Sequence, residues 1–151
     1  MKKAILTIGN TLRGDDGVTA YLGSLIEKDD SLDWQIFYGE DTPESEFHKI
    51  REYAPDLIIV ADAMTGMKVG SVEVMDLSDD RDYMYSTHNL PTPILISYLK
   101  GFCQRVLFLG LTVDIENVLE VNEEVSDEAK QTAKSAFEKV KEIDSIFDDN
   151  N

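Results

Sequence analysis

The chain alternates short apolar runs with longer amphipathic stretches, a pattern that predicts strands and helices in turn. The run at 57–61 is the most apolar, which suits a central parallel strand buried on both faces. The run at 72–77 alternates apolar and polar residues, as a half-exposed strand near a sheet edge does. The five predicted strands are residues 4–8, 34–38, 57–61, 72–77 and 105–109.

Four stretches place apolar residues three or four positions apart, which is the spacing of one helical face. Thr42 and Pro43 mark the start of the second predicted helix, and Ser126 is the predicted cap of the last one. The four stripes are Val18, Tyr21, Leu22, Leu25 and Ile26; Phe47, Ile50 and Tyr53; Ile94, Leu95, Tyr98, Leu99 and Phe102; and Ala129, Ala133, Phe137, Val140, Ile143 and Phe147.

The predicted order β-α-β-α-β-β-α-β-α favours a parallel sheet, because parallel neighbours need crossover connections. We predict a three-layer α/β sandwich: a mostly parallel five-stranded sheet with one antiparallel strand and helices on both faces. Residues 1–147 form one predicted domain, since 151 residues suit a single core of ordinary size. Residues 148–151 are expected to be a frayed acidic tail.

Composition narrows the classes of partner. The chain has 14 basic and 30 acidic side chains, hence a net charge of −16, which disfavours nucleic acid and anionic membrane surfaces as partners. The lone Cys103 cannot form an internal disulfide, and no run of apolar residues is long enough to span a membrane. We therefore expect a cytoplasmic protein.

Several polar residues follow the predicted strands directly. In open parallel sheets the ligand crevice lies beyond the carboxyl ends of the strands, near the point where the strand order reverses. Asp62 interrupts the most apolar run, and an unpaired buried charge there would be costly. Residues expected to reach this rim are Asp15, Asp16, Glu40, Asp41, Asp62 and His88.

Two carboxylates and one imidazole at a rim have two chemical interpretations. They are suitable ligands for a divalent transition metal, with coordination positions left open. They also resemble the groups that perform general acid–base hydrolysis. The sequence has no Gly-Lys-Ser/Thr phosphate loop, G-x-G-x-x-G or G-x-S-x-G motif, so nucleotide binding and a serine nucleophile lose support, and the first two interpretations stay open.

Five motifs in chain order resemble the hydrogenase maturation proteases. The Thr-His-Asn-Leu-Pro segment is most similar to the branch that processes nickel–iron hydrogenases of the formate-hydrogenlyase type. The five are Gly-Asn-Thr-Leu-Arg-Gly-Asp-Asp-Gly at 9–17, Pro-Glu at 43–44, Asp-Ala at 62–63 with glycines at 66 and 70, Thr-His-Asn-Leu-Pro at 87–91, and Phe-Leu-Gly at 108–110.

The resemblance implies an endopeptidase, grouped with the aspartic-type peptidases, on a phosphorylase/hydrolase-like fold. Its expected substrate is the nickel-loaded precursor of a nickel–iron hydrogenase large subunit, from which it removes a C-terminal extension. The metal-contacting and catalytic residues carried over are Asp16, Asp62 and His88. Nickel is supplied by the precursor, so no tightly bound cofactor is expected, and the protein is expected to be a monomer.

The chain departs from the closest branch after the second strand. Relatives have Asp-Gly-Gly there, whereas this chain has Tyr38, Gly39 and Glu40, so an acid is absent unless Glu40 or Asp41 replaces it. A second departure follows the last strand, where Thr112 and Val113 stand in place of Gln and Pro. These departures motivate a second hypothesis, a non-catalytic metal- or partner-binding module on the same fold. A flavodoxin-like cofactor binder is a third hypothesis, and the fold alone supports it.

Overall fold

The computed structural model describes residues 1–75 and 91–149. Its strands and helices follow the predicted order, and they alternate from β1 to β3. The strands are β1 Lys3–Ile8, β2 Trp34–Glu40, β3 Leu57–Met64, β4 Val72–Met75 and β5 Arg105–Thr112. The α-helices are α1 Val18–Glu27, α2 Phe47–Tyr53, α3 Thr92–Lys100 and α4 Asp127–Asp149, and short 3₁₀ helices span Gly14–Gly17, Pro43–Glu46 and Ile115–Val118.

The strands form one five-stranded sheet in the order β2-β1-β3-β5-β4. Strands β2, β1, β3 and β5 are parallel to their neighbours, and β4 is antiparallel to β5. The predicted mixed sheet with one antiparallel edge strand is therefore confirmed. The chain passes from β1 to β2 on one side, then returns across β1 to β3, so the strand order reverses at β1.

Helices cover both faces of the sheet and divide the core into two clusters. On one face α1 and α4 pack over β1 and β3 through side chains such as Leu22 and Val140. On the other face α2 and α3 contribute Ile50, Leu95 and Leu99. All of these side chains are buried, so the predicted three-layer arrangement is confirmed.

Strands β3 and β5 are each three residues longer than predicted. Asp62 pairs with Gly110, and Met64 pairs with Thr112, so the ladder continues past the first polar residue and past the glycine that we interpreted as strand ends. A Cβ at Gly110 would lie 2.3 Å from Met64 Sδ, so a larger residue there would require the Met64 side chain to move. Residues 76–77 of the fourth predicted strand lie outside the described residues.

Two helix predictions are corrected in detail. Helix α3 turns Leu95, Ile96 and Leu99 inward, whereas Ile94 is 60% exposed, because the helix is rotated relative to the predicted stripe. Helix α4 continues to Asp149, two residues beyond the predicted domain boundary at residue 147. The side chain of Asp148 accepts a hydrogen bond from Lys3 at 2.9 Å, which anchors this part of the helix.

Candidate active site

The carboxyl end of β1 is the place where the parallel strand order reverses. Such a switch point leaves a crevice, because the connections on its two sides leave in opposite directions. The loop after β1 carries Asp16, and Asp62 lies beside the last residue of β1, with Ile8 as its register partner. The structure thus brings two of the three predicted site residues to one rim.

Asp16 is held by the loop that precedes it. It belongs to the 3₁₀ helix Gly14–Gly17, is almost completely buried, and its Oδ2 accepts a hydrogen bond from the backbone N–H of Asn10 at 2.6 Å. Gly9 makes this geometry possible: its φ is +150°, and a Cβ there would lie 2.0 Å from the carbonyl oxygen of Asp16. The first glycine of the motif is therefore required by the close approach of the Asp16 backbone.

Asp62 lies inside β3 and has no solvent exposure. Because side chains alternate along a strand, Asp62 is on the same face as Val60 and Met64, which is the face covered by α2 and α3. The 3₁₀ helix that carries Asp16 also contacts β3. Asp16 and Asp62 are thus two buried acidic side chains on neighbouring elements, and such groups are common at functional sites.

His88, the third predicted residue, lies outside the described residues. Helix α3 begins four positions later with Thr92, a buried residue whose Oγ1 has no hydrogen-bond partner within residues 1–75 and 91–149. Across those two ranges no group of three or more His, Cys, Asp and Glu side chains could hold a metal ion. The predicted three-residue set includes His88 and so stays a prediction.

Asp15, adjacent to Asp16, has a structural role. Its carboxylate accepts hydrogen bonds from the N–H of Ser126 at 2.7 Å, from the hydroxyl of Ser126 at 2.7 Å and from Asn117 Nδ2 at 3.0 Å. Ser126 in turn caps α4, since its Oγ accepts from the N–H of Ala129 at 3.2 Å. The cap predicted at Ser126 is confirmed, and Asp15 connects the Asp16 loop to the start of α4.

At the departure after β2, Tyr38 and Glu40 have different neighbours. Tyr38 packs over Gly23 of α1, and burial together with the Glu27 carboxylate raises the pKa of Tyr38 far above its usual value. Glu40 instead contacts the Asp16 loop: its Oε1 accepts from Thr11 Oγ1 at 3.0 Å, and its carbonyl accepts from the N–H of Gly9 at 2.8 Å. Of Glu40 and Asp41, Glu40 is the acid with these contacts to the loop.

Glu40 also has a strained backbone. Its φ is +52°, in the left-handed region that a non-glycine residue rarely adopts, and it lies where a bulge shifts the β1–β2 register between Thr7 and Ile8. Backbone strain of this kind persists where surrounding contacts hold it, and it is common at functional sites. The bulge moves the Glu40 side chain to the loop, a position that spacing in the sequence does not reveal.

His48 and Cys103 contact residues other than those of the rim. His48 is on the exposed side of α2, with Nε2 2.9 Å from Glu52 Oε1. Cys103 is buried, burial raises the pKa of its thiol, and Sγ donates to the carbonyl of Arg105 at 3.4 Å. Neither residue belongs to the candidate site.

Comparison with known proteins identifies the family. No family model matches the chain. The hydrogenase 3 maturation protease of Escherichia coli K12, however, is 32% identical to it over 117 residues, which cover 76% of this chain and 75% of the relative. This chain belongs to the hydrogenase maturation proteases. The family resemblance drawn from the five motifs is thereby confirmed.

Solved structures of hydrogenase maturation proteases share the fold. The [NiFe] hydrogenase maturation protease HycI from Thermococcus kodakarensis is 28% identical, with a TM-score of 0.78 and coverage of 94% of this chain and 91% of that one. An uncharacterized protein from Wolinella succinogenes is 50% identical, with a TM-score of 0.83 and coverage of 97% and 99%. In the described part of the chain, no helix is both long enough and apolar enough to cross a membrane.

Proposed function

We propose that this hydrogenase maturation protease is an endopeptidase that removes the C-terminal extension from the nickel-loaded precursor of a nickel–iron hydrogenase large subunit. The relatives named above are maturation proteases of hydrogenase 3 and of a [NiFe] hydrogenase, which supports this class of substrate. The observation that carries the proposal is the pair of buried carboxylates, Asp16 and Asp62, at the reversal of the strand order.

The proposed recognition element is the nickel that the precursor already holds. Asp16, Asp62 and His88 would supply two carboxylates and one imidazole to a metal whose other ligands come from the substrate, and such a mixed oxygen and nitrogen set suits a divalent transition metal. In this proposal the isolated protein has no tightly bound cofactor, because the metal arrives with the precursor. Only a loaded precursor would complete the site.

The proposed reaction is hydrolysis of one peptide bond. A water oxygen attacks the scissile carbonyl carbon, the C–N bond breaks, and a proton passes to the leaving amine. Two mechanisms would use the same side chains. In the aspartic-type mechanism a carboxylate takes the water proton and activates the water; in the other, the substrate's nickel would polarise the scissile carbonyl as a Lewis acid while a carboxylate accepts the proton. Burial of Asp16 and Asp62 would strengthen either, since charges interact more strongly where water is excluded.

The cellular location and the oligomeric state of the protein are also proposed. We propose a cytoplasmic monomer, in keeping with the single cysteine and the net charge of −16.

The direct experiment for the proposed cleavage is to incubate the protein with nickel-loaded precursor and measure the precursor mass. Loss of the C-terminal extension is expected, and an unchanged mass would contradict the proposal.

The same assay distinguishes the proposed endopeptidase from the alternative, a binding module without peptidase activity. Asp62→Asn keeps the size of the side chain and removes its charge. If Asp62→Asn abolishes cleavage while the precursor still binds, the protein is a peptidase. If the unaltered protein binds the loaded precursor and leaves its mass unchanged, the binding module is the correct description.

A further inference from the structure

Two segments at the rim are joined into one unit beside Asp16. The N–H of Asn122 donates to the carbonyl of Leu12 at 2.9 Å, and the N–H of Gly14 donates to the carbonyl of Asn122 at 2.7 Å. Asp15 adds its three hydrogen bonds to Ser126 and Asn117. Residues 113–126 are therefore attached to the loop that carries Asp16.

The two joined segments carry four apolar side chains that are largely exposed to solvent. Leu12 and Ile115 are each 53% exposed, Leu119 is 62% exposed and Val121 is 82% exposed. We call these four residues the rim patch. Single exposed apolar residues are normal on a protein surface, but several on adjoining segments indicate an interaction site.

Most of the charge beside the rim patch is negative, although Arg13 follows Leu12 and its backbone forms a bridge with Asn122. Residues 113–126 contain five acidic side chains and no basic one. Val121 also borders a depression of about 250 Å³ whose wall includes Glu116, Glu120 and Glu124. A partner that covers the patch must bring apolar side chains to it and positive charge to its border, because unmatched carboxylates at an interface oppose binding.

Two occupants fit this surface poorly. A second copy of the chain would place the same acids against one another, in a molecule that already carries a net charge of −16. The chain's own C-terminus leaves from the other end of the molecule. Helix α4 starts at the rim and extends for 23 residues, roughly 34 Å, to the region of Lys3.

We propose that the rim patch is a docking surface for the hydrogenase precursor, and that it receives a precursor segment with apolar side chains flanked by Lys or Arg. This inference rests on the proposed function. Docking here would place the precursor beside the loop that carries Asp16, since Leu12 lies four positions before Asp16 and hydrogen bonds of Asp15 hold that loop. The patch would hold the substrate and leave the chemical step to the buried carboxylates.

The first experiment separates binding from chemistry. Leu119→Ser combined with Val121→Ser removes apolar surface at exposed positions, so the fold should be kept. Loss of two apolar contacts is expected to raise the Kd for loaded precursor, and the KM for its cleavage, about tenfold or more, with kcat changed less than about twofold. The matched control is Ile146→Ser on α4, 57% exposed and remote from the rim, for which no change is expected.

Charge reversal tests the chemistry of the partner. Glu120→Lys combined with Glu124→Lys should weaken precursor binding, and the difference from the unaltered protein should shrink as salt is raised, because exposed charges are screened. Tighter binding by this variant would show that the docked segment is acidic and would overturn the proposal.

A cross-link identifies the docked segment directly. Cys103 is the only cysteine and is buried, so Val121→Cys introduces a single exposed thiol that can carry a photoreactive group. Mass spectrometry of the cross-linked precursor should give a segment with apolar residues and more Lys and Arg than Asp and Glu. Ile146→Cys, labelled in the same way, should give no such product.

The outcomes distinguish this inference from the proposed function. If the unaltered protein cleaves the precursor and the Leu119→Ser/Val121→Ser variant does so with the same KM, only the docking surface is overturned. If the unaltered protein neither binds nor cleaves the precursor, both fail. If Val121→Cys cross-links two copies of this chain, the patch is a self-association surface and the proposal is wrong.

Discussion

At the scale of single residues, the adjacent acids Asp15 and Asp16 differ in what surrounds them. Asp15 accepts three hydrogen bonds from residues 117 and 126, more than one hundred positions away. Asp16 accepts from Asn10 within its own loop, and the 3₁₀ helix that carries Asp16 contacts β3, the strand of Asp62. The first acid joins two parts of the fold, and the second is placed at the strand reversal.

Asp62→Asn should remove activity and keep the fold. The substitution preserves shape in a fully buried position but removes the charge that the proposed reaction uses. We expect the rate of cleavage of loaded precursor to fall about 10²-fold to 10⁴-fold, the usual range for loss of a general acid–base group. Glu73→Gln, an exposed carboxylate on β4, is the matched control and should cleave at the normal rate. Normal cleavage by Asp62→Asn would remove Asp62 from the mechanism.

The sequence marks Asp62 as a candidate because it interrupts the most apolar run, where an unpaired buried charge would be costly. Spacing alone did not separate Asp15 from Asp16, since the partners of Asp15 are distant in sequence and both acids suit a helix start; only the family resemblance selected Asp16. Spacing also did not identify the contacts of Glu40, because a bulge and a left-handed backbone set them. Such features depend on how strands pair, which a local pattern does not report.

At the scale of elements, the loop between β1 and α1 depends on the absence of a side chain at Gly9. Gly9→Ala should both strain the backbone at φ +150° and push its Cβ against the carbonyl of Asp16. We expect the free energy of unfolding to fall by about 1–3 kcal/mol and cleavage to fall further, because Asp16 moves. Urea unfolding and cleavage rates measure the two effects.

Gly70→Ala is the control for strain alone. Gly70 has φ +92°, and no described atom lies within 4 Å of where its Cβ would be. The Gly70→Ala variant should be less stable than the unaltered protein and should cleave the precursor at the same rate. If Gly9→Ala and Gly70→Ala lose activity equally, the close approach to Asp16 is not what makes Gly9 necessary.

Element type and order could be predicted from hydrophobic spacing, but element ends could not. Polar residues and glycines normally mark the ends of strands, so the local sequence predicts that β3 ends at Asp62 and β5 at Gly110. These two residues pair with each other inside the sheet, so backbone hydrogen bonding extends both strands beyond them. The rotation of α3 has a similar cause, because the packing of the helix on the sheet decides which of its apolar residues are buried.

At the scale of the whole molecule, α4 joins the two ends of the sheet. Its start is capped at the rim by Ser126, and its last turns contact Lys3 and Trp34 at the opposite end. Asp144 accepts from Lys3 Nζ and from Trp34 Nε1, and the Lys3 side chain is only 6% exposed. This cluster links positions 141 residues apart, so the sequence pattern gave no sign of it.

Lys3→Met should destabilise the protein without affecting the site. Removal of one partner leaves the Asp144 carboxylate uncompensated, which we expect to lower the free energy of unfolding by about 3 kcal/mol at neutral pH. Adding Asp144→Asn should recover part of the loss, since the amide oxygen still accepts from Trp34. Equal stability of Lys3→Met and the unaltered protein in urea would contradict this account.

The same cluster sets a pH dependence. Burial disfavours the charged Lys3, but hydrogen bonds to Asp144 and Asp148 outweigh it and raise the pKa of Lys3 above 10.5; the hydrogen bond from Lys3 lowers the pKa of Asp148 below 3.8. The Asp148 carboxylate therefore stabilises the fold at pH values above the pKa that it has in the unfolded chain. The Lys3 ammonium stabilises the fold at pH values below the pKa that it has in the unfolded chain. The stability difference between Lys3→Met and the unaltered protein should be constant near neutrality and shrink toward both extremes of pH.

The central claim is that nickel in the precursor is what the rim recognises. The most direct measurement mixes nickel-loaded precursor with nickel-free precursor labelled with ¹⁵N, adds the protein, and follows both masses in one sample. The account predicts that the loaded precursor alone loses its C-terminal extension. Cleavage of the two precursors at the same rate, or of neither, would contradict it.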